Sequence, residues 1–142
     1  MNAPRTMAKA KAEISGALAK SGLVDGAALE DDSQIKREKR VMFWHGRVEN
    51  QIASGKDTFV TFRVASVDAI ADGDDGTASR SVLAYIDVWT MAPTDSDKIL
   101  KTLDRIAKTL EGLGWSFEQS GQEYRDSPSN RNQLTYSAEK QY

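Results

Sequence analysis

Two periodicities meet at Pro93, and that junction constrains the fold more than any other feature of the chain. Before it, residues 81–91 alternate strictly. Val82, Ala84, Ile86 and Val88 share one face, and Leu83, Tyr85, Asp87 and Trp89 share the other. A period of two is that of a β-strand. Both faces are mostly apolar, so the pattern predicts a central strand covered on two sides. Pro93 ends it. Beyond it, Ile99, Leu103, Ile106, Leu110 and Leu113 recur in steps of four and three, which predicts an amphipathic helix over residues 94–113. Thr94 and Asp97 have the spacing of a capping box, and Gly112 and Gly114 offer a stop. Such a helix must pack its stripe across a sheet.

The other segments sort around this pair. Residues 5–21 are alanine-rich, with Met7, Ala10, Ile14, Ala17 and Leu18 on a narrow stripe and Gly22 as a C-cap. The stripe is weak enough to predict a helix that docks late or on a partner. Residues 22–40 read as a linker, turn-rich at Gly26 and Asp31 to Ser33, then charged from Lys36 to Arg40. Residues 41–48 predict a strand, with Gly46 as a bulge or an end. Val60, Phe62 and Val64 alternate with Phe59, Thr61 and Arg63 over residues 58–65. Asp72 to Gly76 predicts a polar hairpin turn. Residues 115–124 and 134–138 predict two further strands forming a hairpin.

The expected fold class is therefore α+β: an antiparallel β-sheet with helices packed on it, in the order helix, three strands, helix, two strands. Residues 1–40 form a helix and charged linker in this reading, and residues 41–142 the α+β domain.

Bulk composition removes several function classes. The chain has 142 residues, enough for one ordinary core. Its net charge is −2, which gives no basic excess for nucleic-acid binding through counterion release. With no cysteine, disulfides, thiolate metal sites and cysteine nucleophiles are excluded. No apolar run approaches the ~20 residues of a membrane span, and Met1 to Lys20 lacks a secretory apolar core. A cytoplasmic site of synthesis, no membrane partner and no cofactor are expected.

Candidate chemistry is sparse. His45 is the one histidine, so triads and two-histidine metal sites lack their parts. Asp72, Asp74 and Asp75 open like a calcium loop, but Thr77 and Leu83 stand where the loop needs Gly and Glu. Phosphate-cradling glycine motifs are absent. Glu49, Asp68, Asp72 and Asp87 are the carboxylates from which a small metal-dependent α+β enzyme would have to be built. Arg47, Arg63 and Arg80 are too few to interleave with the aromatics as a single-strand binding platform. What remains for function is contact. The candidate interaction residues are Lys36, Arg37, Lys39 and Arg40 in the charged arm, Asp72, Asp74 and Asp75 in the hairpin turn, and Arg80 beside it.

From Val41 onward the chain resembles the tail-terminator and tail-completion proteins of long-tailed bacteriophages. The resemblance rests on an ordered set: Phe59-Val60-Thr61-Phe62, Ala71-Asp72-Gly73, and Tyr85-Ile86-Asp87-Val88-Trp89-Thr90. Lys98-Ile99-Leu100 and Leu110 to Gly114 follow at the two ends of a helix, then Trp115-Ser116-Phe117 and Tyr124-Arg125-Asp126. The last strand, around Asn132 to Tyr136, lacks the Tyr-His pair that the family often carries. The resemblance implies a ring, commonly a hexamer, at the head-proximal end of the tail. Its implied partners are other copies of itself, the tail-tube protein and the head connector proteins, with DNA only passing through the lumen. It implies a place in the virion, assembly in the bacterial host cytoplasm and no catalysis. A head–tail adaptor or a minor capsid component is the neighbouring alternative.

Overall fold

A computed structural model describes residues 2–29, 31–46, 56–72, 78–91, 96–128 and 130–142, without the side chains of 70–72 and 78. Its fold class is α+β. Helix α1 (Ala3–Lys20) is followed by β1 (Val24–Asp25), a 3-10 turn (Gly26–Ala28) and α2 (Asp32–Arg37). Then come β2 (Met42–His45), β3 (Thr58–Asp72), β4 (Ala78–Thr90), α3 (Asp97–Gly112), β5 (Ser116–Gln119), β6 (Tyr124–Asp126) and β7 (Arg131–Gln141). The strands form one sheet in the order β1-β2-β3-β4-β7-β5, with β6 also on β7.

Most of the sheet is antiparallel, as expected: β3 with β4, β4 with β7, and β7 with both β5 and β6. The predicted hairpin of 115–124 with 134–138 is present, although its first strand is split in two. One end of the sheet departs from the expectation. β1, β2 and β3 run parallel. Parallel pairing needs a crossover of about a dozen residues, and residues 46–57 supply that length between β2 and β3. The segment read as a linker also holds structure: β1, α2 and β2 make a small β-α-β unit. Asp31 starts α2 by accepting the Gln34 N–H at 2.8 Å, and Ile35 is buried against Met42, Trp44 and Phe59.

The core lies on one face of the sheet, here called the inner face. Val60 and Phe62 from β3, Val82, Ala84, Ile86 and Val88 from β4, and Ala138 from β7 meet Ile99, Leu103, Ile106 and Leu110 from α3. Ala10, Ile14, Ala17 and Leu18 from α1 join the same cluster, each at most 1% exposed. The weak stripe of α1 is thus core, not a surface waiting for a partner. Its alanines let the helix approach the sheet closely. Thr6, fully buried, extends the stripe where Met7 was expected; Met7 is 44% exposed.

Both long helices stop alike. After Ser21, Gly22 N–H donates to Ala19 and Leu23 N–H to Leu18; after Leu113, Gly114 N–H donates to Glu111 and Trp115 N–H to Leu110. These are Schellman endings, which need a left-handed residue; Gly22 (φ 96°) and Gly114 (φ 92°) supply it as the sequence predicted. The start of α3 differs from expectation. Its N-cap is Ser96, without a side-chain capping bond, and Asp97 is already helical. Thr94 lies outside the described residues.

Candidate assembly surface

The second, outer face of the sheet carries the residues that the core leaves over. On β4 these are Leu83, Tyr85, Asp87 and Trp89, all half-buried. The expected cover on this second side is partial among the described residues. Among the described residues, α2 covers only the corner formed by Met42, Trp44 and Phe59, and no helix lies over the rest. Side chains on this face also pack against one another. Trp89 stacks on Phe59 at 5.9 Å, with the Arg131 guanidinium over the same Phe59 ring at 5.1 Å. Arg63 covers Tyr85 at 4.8 Å. The polar groups are satisfied across strands: Trp89 Nε1 donates to Thr61 Oγ1 at 2.9 Å, and Thr135 Oγ1 donates to Asp87. These cross-strand pairs explain why apolar residues tolerate an open face.

Two features extend beyond the sheet's body. The β3–β4 hairpin runs past the end of β7: Ala69↔Arg80, Ala71↔Ser79 and Asp72↔Ala78 pair beyond Ser81↔Gln141. At the last edge, β5 pairs with β7 on one side, and among the described residues no strand pairs with the other.

The predicted interaction residues divide between the end of α2 and the projecting hairpin. Lys36 and Arg37 are exposed on the last turn of α2, and Lys39 is exposed just beyond. Arg40 is exposed but held. Its guanidinium forks onto Glu38, Nε to Oε1 at 2.8 Å and the second nitrogen to Oε2 at 3.0 Å. That contact, with the Arg40 N–H on the same carboxylate, pulls Glu38 down to about 2. Lys56 Nζ donates to the Glu38 carbonyl, so this arm is anchored rather than loose. Asp72 ends β3; Asp74 and Asp75 lie outside the described residues. Arg80 exchanges two backbone hydrogen bonds with Tyr142, at 3.0 and 2.7 Å, and its buried Nε has no hydrogen-bond partner. The arm and the hairpin therefore sit at separate places and make no single site.

The metal-enzyme carboxylates are not brought together either. Asp87 lies opposite Thr61 and Asp68 opposite Ser81. Six residues of β4 separate those positions, roughly 20 Å. Glu49 lies outside the described residues. Among the described residues, no group of three or more His, Asp or Glu is placed to hold a metal. His45 sits at the end of β2, 5.1 Å from the Phe62 ring. Burial lowers its pKa, and the Lys11 charge adds to that. A small apolar crevice lies between α3 and the sheet, lined by Val60, Val88, Ile99 and Leu103 among others.

One cluster had no signal in the sequence. The Glu13 carboxylate on α1 accepts from Trp115 Nε1 at 3.0 Å, Lys140 Nζ at 2.9 Å and Tyr142 OH at 2.6 Å. Lys140 also lies over the Tyr142 ring at 4.7 Å. Burial by itself raises the Glu13 pKa, but the three donors and the Lys140 charge outweigh it and the net shift is downward. The same burial and bond push the Tyr142 phenol up. The cluster ties the first helix to the last strand and acts as a clamp.

No family model and no curated protein matches the chain. No helix among the described residues is long and apolar enough to cross a membrane.

Proposed function

We propose that this chain is a structural subunit of the tail-terminator type. Copies of it form a ring that caps the head-proximal end of a long phage tail tube and joins it to the head. The observation that carries this reading is the one-sided covering of the sheet. Among the described residues, α1 and α3 cover the inner face, while no helix lies over the outer face beyond the corner under α2 and no strand pairs with the second edge of β5. A ring closes through heterologous contacts, in which two different surfaces of one subunit meet. A sheet whose two ends and two faces differ provides unlike surfaces. The resemblance carried by Phe59 to Phe62, Tyr85 to Thr90 and Trp115 to Asp126 supplies the place in the particle. Those residues lie on β3, β4, β5 and β6 and on the intervening segments.

Size-exclusion chromatography with light scattering, followed by negative-stain imaging, tests the reading. Rings of about six subunits are expected, either alone or on addition of tail-tube protein. A chain that remains monomeric with tail-tube protein present overturns it.

A further inference from the structure

The helical side of the molecule is basic, although the chain's net charge is −2. On α1, Arg5, Lys9, Lys11 and Lys20 are all exposed, and the one carboxylate of that helix, Glu13, is already taken by Lys140. α3 extends this surface. Ser21 Oγ lies 3.3 Å from Thr109 Oγ1, and a Cβ at Gly22 would fall 3.8 Å from the Arg105 guanidinium, so this flank of α3 faces the end of α1. Lys98, two turns before Arg105, lies on the same flank. The carboxylates of α3, Asp97, Asp104 and Glu111, recur at the same step on the far side of the ridge made by Lys101 and Lys108, and Asp104 pairs with Lys108 at 2.9 Å. Asp25, on β1 beyond the end of α1, accepts the Ala27 N–H. Among the described residues, none of the six cations Arg5, Lys9, Lys11, Lys20, Lys98 and Arg105 makes a salt bridge. The outer face of the sheet is the reverse. From β3 to β7 the register places Asp68, Asp87, Glu118, Asp126 and Glu139 there, against Arg63 and Arg131.

We infer that this helical face binds the phosphate backbone of a nucleic-acid duplex without reading its sequence. The inference does not depend on the ring reading, because a single copy displays the same face. Three of the four cations of α1 are lysines, flexible point charges that meet phosphates without a fixed geometry. Between them stand the small exposed residues Ala8, Ala12, Gly16 and Ala19, which let a phosphate strand come close to the helix. Met7 is the one large apolar side chain that α1 exposes. A protein partner needs large anchoring side chains and disfavours lysine, and a helix lying in a membrane needs a broad apolar face. Ile14 and Leu18, the residues of α1 that could serve either, are in the core. α1 is about 27 Å long at ~1.5 Å per residue, and over that length a duplex presents about 16 phosphate charges at ~1.7 Å each. Cations that meet such a polyanion release its condensed counterions, which drives binding.

Fluorescence anisotropy with a labelled DNA duplex of mixed sequence, about 30 base pairs long, tests the inference. Six phosphate contacts give a slope of about −5 in log K against log salt, so binding at about 50 mM salt weakens roughly a thousandfold by about 200 mM. Lys9→Gln with Lys20→Gln removes two contacts, so the slope flattens by about 2 and binding at about 50 mM drops roughly tenfold or more. Lys36→Gln with Lys39→Gln removes the same charge just after α2, which packs on the outer face, and should bind as wild type does. All four side chains are exposed, and circular dichroism checks that both variants fold. A wild type that does not bind at about 50 mM salt, or binds without the salt slope, overturns the inference and leaves the ring reading standing. Equal losses in the two double variants overturn it, since net charge alone then accounts for the binding. A Lys9→Gln, Lys20→Gln variant that binds like wild type overturns it too. Poly-glutamate that displaces the duplex at equal total charge overturns it in favour of an acidic protein partner.

Discussion

Replacing Glu13 by Gln is expected to loosen α1 from the sheet, and the size of the effect follows from the clamp. The Glu13 and Lys140 side chains are 19% and 17% exposed, so their pairing is well shielded without being fully buried. An exposed pair contributes about 0–1 kcal/mol, and breaking a fully buried one by removing one partner costs about 3–5 kcal/mol. Hydrogen bonds to a charged group contribute about 1.5–3 kcal/mol. Gln keeps one acceptor but turns an amide toward the Lys140 ammonium and leaves that charge unbalanced. A loss of about 2–4 kcal/mol follows. For a chain of this length it lowers the melting temperature by about 6–15 °C. Urea unfolding followed by tryptophan emission suits the measurement, since Trp115 donates to the same carboxylate.

The pH dependence has a defined sign. The folded-state pKa of Glu13 lies below its ordinary value of 4.5. Its contribution is therefore complete above pH 4.5 and is lost as pH falls through the folded value. The Tyr142 pKa is raised from 10.0, so its contribution is complete below pH 10 and is lost as pH rises further. Wild type and Glu13→Gln should differ by a constant amount at pH 6–9 and converge in acid. A variant within about 1 °C of wild type at pH 7, or a difference that grows in acid, refutes the reasoning.

Three other substitutions test the packing. A Cβ at Gly26 falls 2.0 Å from the Trp44 ring, so Gly26→Ala overpacks the corner under α2 and should cost about 1–3 kcal/mol by urea titration. Ile106→Ala empties a fully buried core position and should cost about 2–5 kcal/mol on the same assay. Trp89→Phe keeps the stack on Phe59 and loses the bond to Thr61, so it should cost only about 0.5–1.5 kcal/mol. A Trp89→Phe loss equal to that of Ile106→Ala would place Trp89 in the core after all.

The parts of the fold that the sequence announced are those whose signal is local. β4 and α3 each hold their period over ten residues or more, and the glycine stops of α1 and α3 need only the residue itself. The reading was weaker where the period breaks. β3 was expected to end at Ala65 but runs to Asp72, because register shifts at Val64/Ser66 and Ala69/Ala71 interrupt the alternation. β1 has two residues and no period to detect. α2 has one buried apolar residue, Ile35, among charges. Its cost of ordering is met by Trp44 and Phe59, which lie on other strands. Parallel pairing of β2 with β3 depends on the course of a crossover and leaves no mark in either strand. The Glu13 clamp joins residues 127 and 129 positions apart. A glutamate, a lysine and a tyrosine at such distances look like ordinary surface residues.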